Sequence, residues 1–465
     1  MNLEINRRRL IQYASAIGGV AVINGLPVVA RAATVTRRNV TDSAAQKDLD
    51  IYRAAVDAMK NKIPASDKRN WTVQASIHQN HCPHGNWYFL PWHRAYLAAF
   101  ENIIRDVAQK ADFALPYWNW TTGPTIPTPF WTGALNDTTR RVTATTPMPA
   151  SAVGLTVINS QVLSQTNYQA FGSYMPSGQN SLDNKWQRAG GGTGALEGTP
   201  HNTVHGTIGG NMGNYMSPLD PIFWLHHCNV DRLWAVWRSM GRADETNSYW
   251  RDFTFPSNFY LPNGTPISPV VKNQLSTEAL GYVYDNGRTP NLAAEAVAAL
   301  AASPTAAVPA GGNPLEGAVL ADSASFTAAI GKPETAPVKR ASTANLLAAA
   351  PPSSANPRYY VILDKVVPPT DPSVGLRLFI DTPGANAETP VEDKGYVGSV
   401  AFFGTHDAGH GGPHTVTFVL DVTEKAEALN LKDGRENAIT LVPVALNDDK
   451  AASKVSVASA KIVAI

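Results

Sequence analysis

Eleven histidines run along the 465-residue chain in three groups: His78, His81, His84 and His93; His201, His205, His226 and His227; and His406, His410 and His414. Imidazole is a neutral donor suited to copper, zinc, iron and nickel. The first two groups, set among tryptophans, therefore read as two halves of one metal site. A lone buried histidine is more often a hydrogen-bonded core residue, but scattered core histidines would not sort into clusters. His201 and His205 stand at i, i+4, the spacing of a zinc hydrolase helix, yet Asn202 occupies the position where such an enzyme needs its glutamate. Asp and Glu do not punctuate the clusters at ligand-like spacing. A site of histidines alone, in an apolar shell, suits copper handling dioxygen, with three imidazoles per copper leaving one position open. The third group sits in a glycine-rich loop and reads as solvent-exposed, with copper delivery as the alternative.

Two helices must carry part of this site. His93, Leu97, Phe100, Ile104 and Val107 fall on one face of a helix expected to begin just after Pro91. Phe223, His227, Val230 and Trp234 do so in a second, with Asp231 one turn beyond His227. On one straight helix His84 and His93 would face opposite sides, so with Pro91 between them His84 must come from the preceding loop. His226 and His227 are about 100° apart on a helix, so one of them rather than both is expected at a given metal. Ile222, His226 and Leu233 form a rival stripe, so periodicity leaves that choice open.

His84 with Phe89-Leu90-Pro91-Trp92-His93-Arg94, Leu97 and Glu101 resembles the first copper-site pattern of the tyrosinase and polyphenol oxidase family. Asp220-Pro221-Ile222-Phe223-Trp224 with His227 and Asp231 resembles the second. Residues 71–78, Leu115-Pro116-Tyr117-Trp118-Asn119-Trp120 and Tyr282-Val283-Tyr284 resemble further landmarks, and the likeness covers most of residues 34–290. It implies a mainly α, loop-rich catalytic domain, a four-helix bundle around two copper ions, with O2 as co-substrate. By position it implies His78, His84 and His93 for the first copper, with His81 as rival to His78, and His201, His205 and His227 for the second. It also implies a thioether between Cys82 and His84, as in plant and fungal members, against a Cys82–Cys228 disulfide. Glu197 and Asn202 match a glutamate and an asparagine that hold a water for deprotonating the phenol; the plainer reading is a helix N-terminal acid and a solvated amide. Tyr215 stands where plant enzymes place a phenylalanine over the second copper, as a gate or as ordinary packing. The implied activity is ortho-hydroxylation of monophenols and oxidation of o-diphenols to o-quinones. Small phenols are the implied substrates, and a copper chaperone is a further implied partner. A catechol oxidase without hydroxylation and a haemocyanin-like dioxygen carrier remain as alternatives.

The rest of the chain supplies context. A net charge of +1 with 16% charged residues gives no reason to expect nucleic acid or an anionic membrane as partner. Asn6-Arg7-Arg8-Arg9-Leu10-Ile11 opens an apolar stretch interrupted by Gly18, Gly19 and Asn24, with small residues before Ala33. Residues 1–33 thus read as a twin-arginine export signal, against a single membrane anchor, leaving a periplasmic or secreted mature form with no membrane contact. Residues 291–356, rich in Ala and Pro, read as a linker with a short helix expected at 294–302. From 357 to 465 short β-type runs such as Tyr359-Tyr360-Val361-Ile362-Leu363 and Leu376-Arg377-Leu378-Phe379-Ile380 predict a C-terminal β-sandwich. Its run through Gly398-Ser399-Val400-Ala401-Phe402-Phe403 resembles the β-domain of latent plant enzymes, which implies that it shields the site.

Overall fold

The computed structural model describes residues 34–176, 192–285, 314, 317–340, 357–369, 371, 373–403, 415–431, 436–447 and 453–465, with the backbone of 21–23 and 26–28. The remainder of the expected signal segment, the expected helix at 294–302 and His406, His410 and His414 lie outside the described residues.

The N-terminal domain is helical where the site requires it: α1 (Gln46–Asn61), α2 (Trp71–His81), α3 (Phe89–Ala108), α4 (Asn202–Ile208) and α5 (Ile222–Ser239). The Asn70 side chain caps α2 by accepting from the Thr72 and Val73 amides, and the helix ends at extended Cys82, before Pro83. α3 begins at Phe89 rather than after Pro91. Pro91 falls in the first turn, where the amide it lacks would have no helical partner. A π-turn over Glu197–His201, containing Pro200, leads into α4.

Behind the histidines, polar residues of the two long motifs meet in one buried network. Strand β1 (Val35–Arg37) pairs in parallel with β2 (Tyr282–Tyr284), joining the two ends of this domain. Arg37 donates to Glu101 on α3 at 3.0 Å, and Arg94 to Asp231 on α5 at 2.5 Å. The Tyr282 and Tyr284 hydroxyls donate to Asp231 at 2.7 and 2.6 Å. The network sets α3 and α5 side by side.

The C-terminal domain is strand-rich, with β3 (Ala318–Asp322), β4 (Phe326–Ala329), β5 (Glu334–Arg340), β6 (Tyr359–Val366), β7 (Val374–Ile380), β8 (Tyr396–Ala401), β9 (Val416–Asp421), β10 (Asn437–Ala445), β11 (Lys454–Val457) and β12 (Ser459–Ala464). Among the described residues, eight of these form one antiparallel sheet in the order β8-β7-β10-β5-β3-β12-β6-β9, and β4 pairs with β11. The sheet curls until its edge strands approach, with the Phe402 and Phe418 rings 5.4 Å apart, around a core that includes Val361, Leu376, Leu378 and Leu441. It is nearly a barrel rather than the expected sandwich, since one strongly curled sheet encloses its own apolar face.

Within residues 318–340, β3 and β5 belong to this sheet and β4 to the pair with β11, which corrects their assignment to a linker over 291–356. Their Ala-rich composition and Pro337 concealed strands. Pro337 is tolerated because β3 pairs with β5 only at Lys339 and Arg340, leaving the proline's flank outside a two-sided ladder.

The two domains are hydrogen-bonded together. Thr199 Oγ1 donates to the Ser399 carbonyl at 2.6 Å, Arg141 pairs with Asp371, and Thr193 bridges to Phe418. No described helix is long and apolar enough to cross a membrane.

Candidate metal centre

Each half of the domain delivers three of the predicted ligands to one place. α2 carries His78, the loop after it His84, and the first turns of α3 His93. The π-turn and α4 carry His201 and His205, and α5 carries His227. Ring nitrogens of His78, His93 and His227 lie within 4.8 Å of one another, as do those of His201, His205, His226 and His227. His78 and His84 approach Nε2 to Nε2 at 3.4 Å, and His205 and His227 at 3.3 Å. The His93 and His227 rings stack 4.5 Å apart, joining the two groups.

The outward-facing nitrogens explain why the inward ones point where they do. Nδ1 of His78 lies 2.8 Å from the Tyr215 carbonyl, that of His93 2.7 Å from the Phe89 carbonyl, and that of His205 2.6 Å from the Met212 carbonyl. His84 Nδ1 faces Glu197 Oε1 at 2.9 Å, and His201 Nδ1 faces Asn202 Oδ1 at 2.8 Å. All five oxygens accept, so Nδ1 carries the proton and Nε2 keeps its lone pair, the tautomer a metal requires. Burial, reinforced by the neighbouring imidazoles, pushes the pKa of His84, His93, His205 and His227 well below the usual histidine value, and burial takes His201 to about 3. The Nε2 atoms of His93 and His201 are buried without a hydrogen-bond partner among the described residues. The same holds for His226 Nε2, but the neutral Nε2 lone pairs of His78, His84, His93, His201 and His205, turned inward by their Nδ1 partners, fit a pair of metal ions. The absence of a carboxylate from these clusters fits copper better than a zinc hydrolase site.

The remaining site predictions fall as follows. His81 is partly exposed and stands outside these clusters, whereas His78 is fully buried. Cys82 is buried within the 4.8 Å group formed with His78 and His84, and neither cysteine is in a disulfide. Cys228 sits instead beside Arg37, Glu101 and Asp231; burial, with the two carboxylates, raises its thiol pKa against the opposing effect of Arg37. Glu197 is buried and receives His84 Nδ1–H, the Gly85 amide at 2.9 Å and the Ser173 hydroxyl. Burial raises its pKa to about 8 against those hydrogen bonds. Gly85 has φ of 63°, the left-handed turn that lets its amide meet the same carboxylate as its neighbour's ring. Asn202 Nδ2 donates to the Ala401 carbonyl on β8 at 2.9 Å, which turns its Oδ1 toward His201. The Tyr215 carbonyl orients His78, and its ring lies beside the cluster, 5.8 Å from that of His84.

Phe403 was not foreseen. Its ring, just past β8, lies 4.3 Å from that of His205, 4.7 Å from His84 and 5.4 Å from Tyr215. A phenylalanine ending a β-run carries no local signal that it will be set against a site some two hundred residues earlier in the chain. Trp120, which donates to His226 Nδ1 at 3.1 Å, was visible only as part of a motif.

A family model described as the common central domain of tyrosinase matches residues 68–149 and 128–240, and a domain of unknown function matches 318–462. A tyrosinase of Hahella sp. (strain CCB-MM4) is 32% identical over 302 residues, 54% of this chain and 63% of that one. The chain spans less than two thirds of the length of the curated relatives it matches. The fold is similar to that of a latent apple tyrosinase, with a TM-score of 0.67 at 24% identity over 94% of this chain and 98% of the other. It is also similar to an octopus haemocyanin functional unit, with a TM-score of 0.51 at 16% identity over 92% and 99%. Both of these likenesses extend to the fold alone, whereas the central domain and its two histidine motifs are matched in sequence. Residues 68–240 thus carry a tyrosinase central domain, through which the chain is related to tyrosinases and polyphenol oxidases.

Proposed function

We propose that this protein oxidises small phenols with dioxygen, hydroxylating monophenols at the ortho position and converting o-diphenols to o-quinones. The observation that carries the reading is the convergence of six imidazoles, from His78, His84 and His93 and from His201, His205 and His227, five of them held by an oxygen at Nδ1. Two bound copper ions would supply dioxygen binding and a two-electron oxidation. The chain's own residues do the rest: they present neutral donors, keep water out with an aromatic shell, and provide a place for the phenol's proton. Glu197 and Asn202 are the residues proposed for that proton, each acting beside a ligand, on His84 and His201 respectively.

Phe403 occupies the approach to the cluster, so the C-terminal domain shields the site until it moves or is cut away. Tyr215, in ring contact with Phe403, would remain at the entrance once that domain is gone. Cys82 and His84 are proposed to form a thioether, with the thiol and ring C–H hydrogens passing to dioxygen; an intact mass lighter by two hydrogens than the sequence mass tests it. Residues 1–33 are proposed to direct export, and a copper chaperone to serve as a loading partner.

Oxygen uptake with tyrosine and with its catechol analogue, before and after limited proteolysis, tests the function. Uptake with both supports a tyrosinase, uptake with the catechol alone a catechol oxidase. Reversible oxygen binding without quinone from either form would make it a carrier.

A further inference from the structure

We propose that Trp120 is a positioning residue that selects His227 over its neighbour His226 as the ligand of the second metal. The inference rests on the copper reading above. Proximity does not make the choice. Both histidines are fully buried on α5, and His226 stands as close to His201 and His205 as a ligand would, with ring centroids 5.4 and 4.8 Å away. Protonation makes it. An indole nitrogen is only a donor, and Trp120 directs its N–H at His226 Nδ1 over 3.1 Å, so that nitrogen holds the lone pair. The single proton of the neutral ring must then reside on Nε2, which leaves Nε2 with nothing to give a metal. The lock is anchored in the backbone: the Trp118 amide donates to the Leu225 carbonyl at 3.1 Å, pinning this segment to the residue just before His226. His227, whose Nδ1 has no such donor among the described residues, meets anchored His205 at 3.3 Å.

Copper content of the full chain tests this. Wild type should hold two ions per chain and H227A one. H227A/W120F should recover the second ion because His226 is released, and H227A/W120F/H226A should lose it again. Two ions in H227A, or no recovery in the double variant while the first ion is retained, overturns the proposal. Nitrogen–proton NMR of histidine-labelled metal-free chain reads the tautomer independently of loading. The His226 proton should lie on Nε2 in wild type and move in W120F, and a wild-type proton on Nδ1 overturns the lock. Fewer than two ions in wild type would instead count against the copper reading, leaving the NMR to judge Trp120.

Discussion

The phenyl ring of Phe403, delivered by the C-terminal domain, packs against the imidazole of His205 with centroids 4.3 Å apart. A side chain in that place competes with any phenol approaching the same cluster.

Phe403→Ala should therefore activate the intact protein. Burying a phenylalanine is worth about 1.5–3 kcal/mol, so its loss should raise the open fraction by roughly tenfold or more. Quinone formation from a catechol should rise accordingly in the full-length chain and stay unchanged in chains already cleaved between the domains. Equal rates in full-length wild type and variant would show that the ring does not limit access.

Asn202→Asp separates two roles of one side chain. The carboxylate still accepts from His201 Nδ1, but it cannot donate to the Ala401 carbonyl and faces it with like polarity. Losing a buried donor costs about 1–3 kcal/mol, so the C-terminal domain should detach more readily. Proteolysis between the domains should quicken while copper content holds. In the cleaved form the ratio of hydroxylation to diphenol oxidation should fall.

Glu197→Gln replaces one of the two carboxyl oxygens that gather His84, Gly85 and Ser173. An amide has one accepting oxygen for three donors, so His84 should lose orientation. Copper affinity at the first position should drop about 10–100-fold, with the second position little changed. Metal titration of the full chain reads this, alongside a lowered hydroxylation-to-oxidation ratio at saturating copper.

Acid should unfold the protein through Asp231. Burial alone would raise this carboxyl's pKa, but Arg94 and Arg37, with the Tyr284 and Tyr282 hydroxyls, outweigh it and hold it below the ordinary aspartate value. A carboxyl depressed in the folded state adds stability above its unfolded pKa of about 3.9 and loses it as pH falls through the folded value. Urea melts should show stability flat near neutrality and declining below about pH 4. Asp231→Asn leaves Arg94 and Arg37 short of a counter-charge and should cost about 3–5 kcal/mol at pH 7, with a shallower decline in acid.

Much of the site was legible because its signals are local. The period of a helix places His93 and His227 on core-facing stripes. Pro83 and Pro91 bracket the loop that supplies His84, and the spacing of His201 and His205 suits one helix face. The start of α3 was misjudged by three residues because a proline is as acceptable inside a first turn as before it. Strands β3 and β5 escaped notice because alanine and proline argue for a linker until a neighbouring ladder shows which edge they leave unpaired.

The sequence by itself determined which residue types were available and which face of each helix they occupy, since those follow from backbone periodicity within a few residues. The tertiary structure decided what each histidine can do. His78 rather than His81 enters the cluster because the Tyr215 carbonyl, on a distant loop, receives its Nδ1. His226 is held to one tautomer by Trp120, and His201 to the other by an amide that β8 has turned. An imidazole's proton goes where the nearest acceptor or donor sends it, and those partners arrive only when remote segments pack.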